Sequence, residues 1–287
     1  MPAISVHEHL ATEPQDIPFL IECGEFEQIW LQCHRPLPEY EELHLKVRKE
    51  FGSFFELFGY LDWTRGPDNI ARLKDRGFFG LKAIRPPLPY DHESWFVLYE
   101  KAAELRMPIL FHTGVIGGSV RREARGKPIP PPKAPGSIAE GTRTRHCPAT
   151  NMSPAALQPI AATFPHLTII NGHPGFPWLE EAWENLYYYD NIYLDISSGH
   201  SLPCLEQWLF RFFGSQCQNP ALAFTDKLLF ATDGEVGKGR SMHEWLVRVT
   251  RFWREFLALV GPGHRWGADT GKVLVENARL ILKEHGR

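Results

Sequence analysis

The sequence is poor in cysteine. Five are present in 287 residues (Cys23, Cys33, Cys147, Cys204, Cys217), scattered, odd in number and never spaced as CxxC. That pattern argues against a disulfide framework and against a thiolate zinc site. No apolar run reaches about 18 residues, and the N-terminus lacks a basic segment followed by an apolar one, so neither a membrane span nor a secretory leader is expected. A cytoplasmic location is the default reading. Charge of one sign is also missing: 31 Lys and Arg stand against 34 Asp and Glu, a formal net charge of −3. This leaves no electrostatic footprint for nucleic acid or an anionic membrane. A local basic pocket for a small acidic substrate stays open, because it need not show in the net charge.

What is present is apolar side chain, 43% of the residues, enough for a sizeable core. No internal repeat or low-complexity linker divides the chain, so residues 1–287 are expected to form one domain. Short apolar, β-branched or aromatic runs alternate with longer helical stretches, which is the pattern of parallel βα units. The runs are 3–7, 28–33, 55–62, 80–84, 109–112, 167–173, 192–197 and 228–233. Helical patterns fill 69–76, 93–105, 154–164, 178–188, 205–213, 243–259 and 271–284. Eight strands in a chain of this length fit a (β/α)8 TIM barrel, although a doubly wound open sheet would give the same alternation.

The polar residues weigh toward the barrel. His7, His9, His112, His173 and Asp233 all fall at or just past the C-terminal ends of their runs. In a barrel those ends share one face, where catalytic residues gather. His7 and His9 lie two apart on a strand, so both imidazoles can aim at one point. Taken singly, each has an ordinary explanation: a chance HxH, a core histidine satisfied by backbone, an aspartate capping a helix. Taken together they form a set of nitrogen and oxygen donors suited to a divalent ion, zinc before manganese or iron.

The pieces VHEHL, GFFGLKAIRP, MPILFHTG, FPHLTIINGHPGFPWLEEA, NIYLDISS, KLLFATD and ENARLIL, in that order, resemble the amidohydrolase superfamily. Within it they are similar to the amidohydrolase-2 branch that includes aminocarboxymuconate-semialdehyde decarboxylase. The resemblance implies a metal-dependent TIM barrel with His7, His9, His112 and Asp233 as metal ligands. It further implies Asp233 as proton acceptor from water and His173 as the residue that polarises substrate or water. Two departures stand out: Ser5 occupies the position where the family usually has Asp, and Lys82 lies near the place of a carboxylated bridging lysine in binuclear members. A mononuclear site is the preferred reading, with Lys82 as a substrate-binding cation or a strand-end lysine.

Other candidate substrate contacts are Arg85, whose fork suits a carboxylate, Trp178 after HPGFP, and His200 in SSGH. His34 and Glu235 have ambiguous standing, Glu235 being equally able to pair with Lys238. The proline-rich stretch 117–150 has no periodicity and follows His112, so a lid or pocket wall is expected there, with Arg121, Arg122, Arg143, Arg145 and His146 as anion contacts or solvated charges. The aromatic stripe Trp245, Phe252, Trp253 and Phe256 reads as core or homodimer surface. The function expected is hydrolysis of a small lactone, amide or ester, with neither nucleic acid nor membrane as partner; the competing reading is non-oxidative decarboxylation of an aromatic or unsaturated acid.

Overall fold

The computed structural model describes residues 1–116, 147–197, 224–259 and 269–287. Nine parallel strands form one sheet: β1 (Ala3–Gln15), β2 (Phe26–Gln32), β3 (Phe55–Tyr60), β4 (Gly80–Ala83), β5 (Ile109–His112), β6 (Ile169–Gly172), β7 (Ile192–Asp195), β8 (Leu228–Leu229) and β9 (Glu235–Lys238). Their order is β8-β7-β6-β5-β4-β3-β2-β1-β9, so consecutive strands are neighbours throughout the first eight. Strands β3 to β8 are buried along their whole length, which explains why they read as near-continuous apolar runs rather than as alternating ones.

The sheet closes on itself. On the side of β1 away from β2, the Val6 N–H donates to the Phe230 carbonyl (3.0 Å), the Asp233 N–H donates to the His7 carbonyl (3.0 Å), and the His9 N–H donates to the Gly234 carbonyl (2.8 Å). Beyond that seam β9 runs on beside β1, pairing His9 with Glu235 and Leu10 with Val236. The fold is a TIM barrel, as expected from the sequence. The expected eighth strand is divided, however: it stops, turns at Asp233 (φ 60°) and resumes as β9. The first strand correspondingly extends to Gln15 instead of ending at His7, because the second half of the seam gives it a partner.

Helices α1 (Ile17–Glu22), α2 (Pro38–Phe51), α3 (Pro67–Asp75), α4 (Phe96–Glu104), α5 (Leu157–Thr163), α6 (Leu179–Tyr188), α7 (Arg240–Leu259) and α8 (Asn277–Glu284) connect or follow the strands. The helix expected over 154–164 starts as a 3-10 turn, Pro154–Ala156, and the one over 271–284 as a π-helical turn, Lys272–Glu276. The expected helix over 205–213 lies outside the described residues. Among the described residues no helix is long and apolar enough to cross a membrane.

Candidate metal centre

The His7 ring reaches Asp195 and Lys82, the His9 ring reaches the Gln32 carbonyl, and both face Asp233. Glu8, between them, reaches the seam and locks it: its carboxylate accepts from Ser5 Oγ (2.5 Å), Thr232 N (3.0 Å), Thr232 Oγ1 (2.7 Å) and Gly234 N (2.7 Å). Burial pushes this carboxyl up to about 7, against the pull of those hydrogen bonds. Ser5, the departure from the usual family pattern, is thus a donor to Glu8.

His7 is fully buried. Its Nδ1–H donates to Asp195 Oδ2 (2.8 Å), which turns the Nε2 lone pair toward Lys82 Nζ (2.5 Å) and Asp233 Oδ1 (3.7 Å). Burial, reinforced by the Lys82 charge, brings the His7 imidazole down to about 3. Lys82 has no exposed surface, and burial brings its amine down to about 7 while Asp233 and Asp195 oppose the shift. His9 donates from Nδ1 to the Gln32 carbonyl (3.3 Å), leaving Nε2 at 3.1 Å from Asp233 Oδ1.

His112 ends β5, 6% exposed, with its carbonyl accepting from Tyr90 (2.9 Å). Among the described residues its buried Nε2 has no hydrogen-bond partner, and burial first, then the His173 and Lys82 charges, hold the ring's pKa well below the usual histidine range. The loops after β5 and β6 cross closely here. Gly114 (φ 82°) lies where a Cβ would come within 2.4 Å of the Phe176 carbonyl, so only glycine lets the two loops meet. That crossing sets the His112 and His173 rings 4.8 Å apart, with His173 4.7 Å from His7.

His173 itself sits at φ 67°. Its Nδ1–H donates to Ser197 Oγ (2.8 Å) and the Ser197 carbonyl (3.2 Å), and its Nε2 lies 3.9 Å from Asp233 Oδ2. Burial alone would raise the Asp233 carboxyl, but His173, His9 and His7 outweigh it and hold the group ionised well below the carboxylate range. Among the described residues, Arg85, His173 and Asp233 are three of the five non-glycine residues with positive φ, and all three follow strand ends at this face. Such conformations cost about 1–3 kcal/mol each and persist where surrounding structure fixes them.

Of the five expected donors, His7, His173 and Asp233 form the tight group, while His9 reaches it through Asp233 and His112 through the His173 ring. Ligand atoms of His7, His173 and Asp233 lie within 4.8 Å of one another. The imidazole nitrogens, the Asp233 carboxylate and the His112 Nε2, which has no hydrogen-bond partner among the described residues, fit a divalent cation. Lys82 is drawn in against His7 beneath the cluster, and Arg85 is close enough for its charge to act on Lys82 and on His34. His34 stacks edge-on against His9, with ring centroids 4.4 Å apart. Trp178 precedes α6, half-buried, and among the described residues no hydrogen bond or ring contact joins its side chain to the cluster. Glu235 pairs with Lys238. His200, Arg121, Arg122, Arg143, Arg145 and His146 lie outside the described residues.

Sequence reasoning passed over Asp195 and Ser197. Asp195 closes the apolar run IYLD as Asp233 closes LLFATD, and it could have been singled out on the same ground. It is fully buried, and although burial opposes ionisation, His7 and its hydrogen bonds bring it down to about 2.

A family model described as amidohydrolase matches residues 47–279. The chain belongs to the amidohydrolase family. No curated protein matches the amidohydrolase sequence. Solved structures that share its fold include a probable 2-pyrone-4,6-dicarboxylic acid hydrolase from Acinetobacter baumannii with citric acid bound (TM-score 0.62, 12% identity, all of both chains). Another is 2,6-dihydroxybenzoate decarboxylase from Rhizobium (TM-score 0.59, 15% identity, 99% of each chain). A third is 5-carboxyvanillate decarboxylase from Novosphingobium aromaticivorans, complexed with manganese and 4-hydroxy-3-methoxy-5-nitrobenzoic acid (TM-score 0.58, 13% identity, 98% of this chain and 96% of that one). At these identities the likeness is one of fold, and this amidohydrolase shares it with hydrolases and decarboxylases alike.

Proposed function

We propose that this amidohydrolase is a mononuclear, metal-dependent hydrolase of a small carbonyl compound, a lactone, amide or ester. His7, His9, His112 and Asp233 would hold the ion, and the donor set favours zinc, with manganese or iron as substitutes. The bound ion supplies Lewis acidity and a lowered pKa for coordinated water.

The observation that carries hydrolysis over decarboxylation is the placement of Asp233: three imidazole nitrogens face its carboxylate, His9 Nε2 at 3.1 Å, His7 Nε2 at 3.7 Å and His173 Nε2 at 3.9 Å, and 21% of its side chain is exposed. Such a group accepts a proton from water and returns it to a leaving oxygen or nitrogen. Non-oxidative decarboxylation instead calls for a group that enters the step protonated and delivers its proton to carbon, and that is the second reading, favoured by the manganese-containing decarboxylase of like fold. His173, facing Asp233 across the site, would steady the developing oxyanion once it carries a proton. Arg85, Trp178 and His200 remain the proposed substrate side of the pocket, whereas Lys82, buried against His7, would act there through its charge and not by contact. An organic acid or lactone is the ligand class that such cations suit, in a protein taken to be cytoplasmic and possible as a homodimer.

The test supplies lactones and aromatic acids in parallel to zinc-loaded protein and follows acid release and CO2. Ring opening supports the proposal, and CO2 evolution with no ring opening transfers the site to the lyase reading.

A further inference from the structure

One carboxylate touches the supports of two histidines that are far apart in sequence. Asp195 Oδ2 accepts the His7 Nδ1–H at 2.8 Å. Asp195 Oδ1 accepts the Ser197 N–H (3.0 Å), the His173 N–H (3.2 Å) and the Ser197 hydroxyl. The hydroxyl, having given its proton to Asp195, has only lone pairs left, so the His173 Nδ1 at 2.8 Å must be the donor. The Ser197 carbonyl at 3.2 Å from the same nitrogen can only accept, and it enforces the same direction. Every member of this network is buried or nearly so: Asp195 and His7 have no exposure, Ser197 1%, and the His173 side chain 13%.

We infer that Asp195 and Ser197 are positioning residues that hold His7 and His173 in the same tautomer, with Nδ1 protonated and the Nε2 lone pair aimed at the side of Asp233. The Lys82 amine agrees with this direction at His7, because a donor 2.5 Å from Nε2 needs a lone pair there. The network also explains the left-handed backbone at His173: with φ at 67° its own N–H reaches Asp195 while the ring turns back over the site. Nothing in the arrangement works through direct contact between Asp195 and substrate, since the carboxylate is sealed beneath the two imidazoles.

The inference rests on the metal-centre reading only for its consequence, and its test separates the two. Metal-free protein labelled with 15N in the histidine rings is examined by two-bond 1H–15N correlation spectroscopy, which reports each tautomer directly. Wild type is expected to show Nδ1–H at both His7 and His173. Asp195→Asn brings an amide N–H to one of the two acceptor positions, and His7 is expected to convert to Nε2–H, His173 to a mixture. Ser197→Ala removes the closer acceptor at 2.8 Å and keeps the longer carbonyl contact at 3.2 Å, so it is expected to leave His7 as it was and give His173 a minor Nε2–H population, absent from Ser197→Thr. Zinc affinity, read by competition with a chromophoric chelator, is expected to fall about 10- to 100-fold in Asp195→Asn, as for other outer-shell partners of metal-bound histidines.

Nε2–H at either ring in wild type overturns the inference, as does an unchanged pair of tautomers in Asp195→Asn. An unchanged His173 in Ser197→Ala removes the hydroxyl from the network. Correct tautomers and correct responses in a protein that takes up no metal uphold the positioning role and sink the metal reading instead.

Discussion

At His7 the Nε2 lone pair faces both the Lys82 amine, 2.5 Å away, and the space shared with Asp233, where a divalent ion would be held. The two cations compete for that lone pair and repel each other. Lys82→Met is therefore expected to strengthen zinc binding, roughly tenfold or more, for about 1.4 kcal/mol of relieved repulsion. Equilibrium competition with a chelator checks this. A loss of metal would instead make Lys82 a ligand and the site binuclear. Asp233→Asn removes the proton acceptor while keeping the shape. Turnover is expected to fall about 10²- to 10⁴-fold, and metal content per chain, measured alongside, should fall with it.

Among the elements, the seam between β1 and the broken eighth strand carries both structure and chemistry. Glu8 fastens it through acceptors only, so Glu8→Gln would set amide N–H groups against the N–H of Thr232 or Gly234. The expected cost is about 1–3 kcal/mol of stability in a urea titration, with histidine ligands displaced in turn. The sequence made the strand ends legible because an apolar run that finishes in His or Asp is visible without coordinates, as LFH and FATD are. What stayed hidden depended on conformation at single residues. The split of the last strand follows from positive φ at Asp233, an unremarkable residue for a turn, and the partner that lengthens β1 is more than two hundred residues away. Glu8 was overlooked between two histidines because its role is fixed by alternation of faces, and Asp195 because its partners, His7 and His173, belong to other strands.

For the molecule as a whole, buried neutral histidines set the response to acid. His7, lowered by burial to about 3, His44, lowered by burial to about 4, and His112, lowered well below 6.5, stay unprotonated in the folded chain where the unfolded chain takes up protons. Glu8, raised by burial from 4.5 to about 7, works in the opposite sense and binds one proton more when folded. Between pH 6.5 and 4.5 the unfolded state thus holds a net two extra protons from these four groups. These four groups alone should make stability fall with decreasing pH by about 2.7 kcal/mol per pH unit at 1.36 kcal/mol for each proton, and His34, lowered by burial, adds to the fall. Urea midpoints of metal-free protein from pH 7 to 4.5 check the slope. A flat profile would show that the histidines are protonated within the fold. Bound zinc should steepen the same decline, since the ion needs the imidazoles unprotonated.

The closing hydrogen bonds between β1 and residues 230–234 have a consequence for biosynthesis. His7 and His9 precede Asp233 by more than 220 residues, and the β1 backbone reaches residues 230–234 only across this seam. A lengthening polypeptide thus offers the two imidazoles long before the carboxylate, so an ion held by all three would be taken up only once Asp233 has been made and the seam has closed.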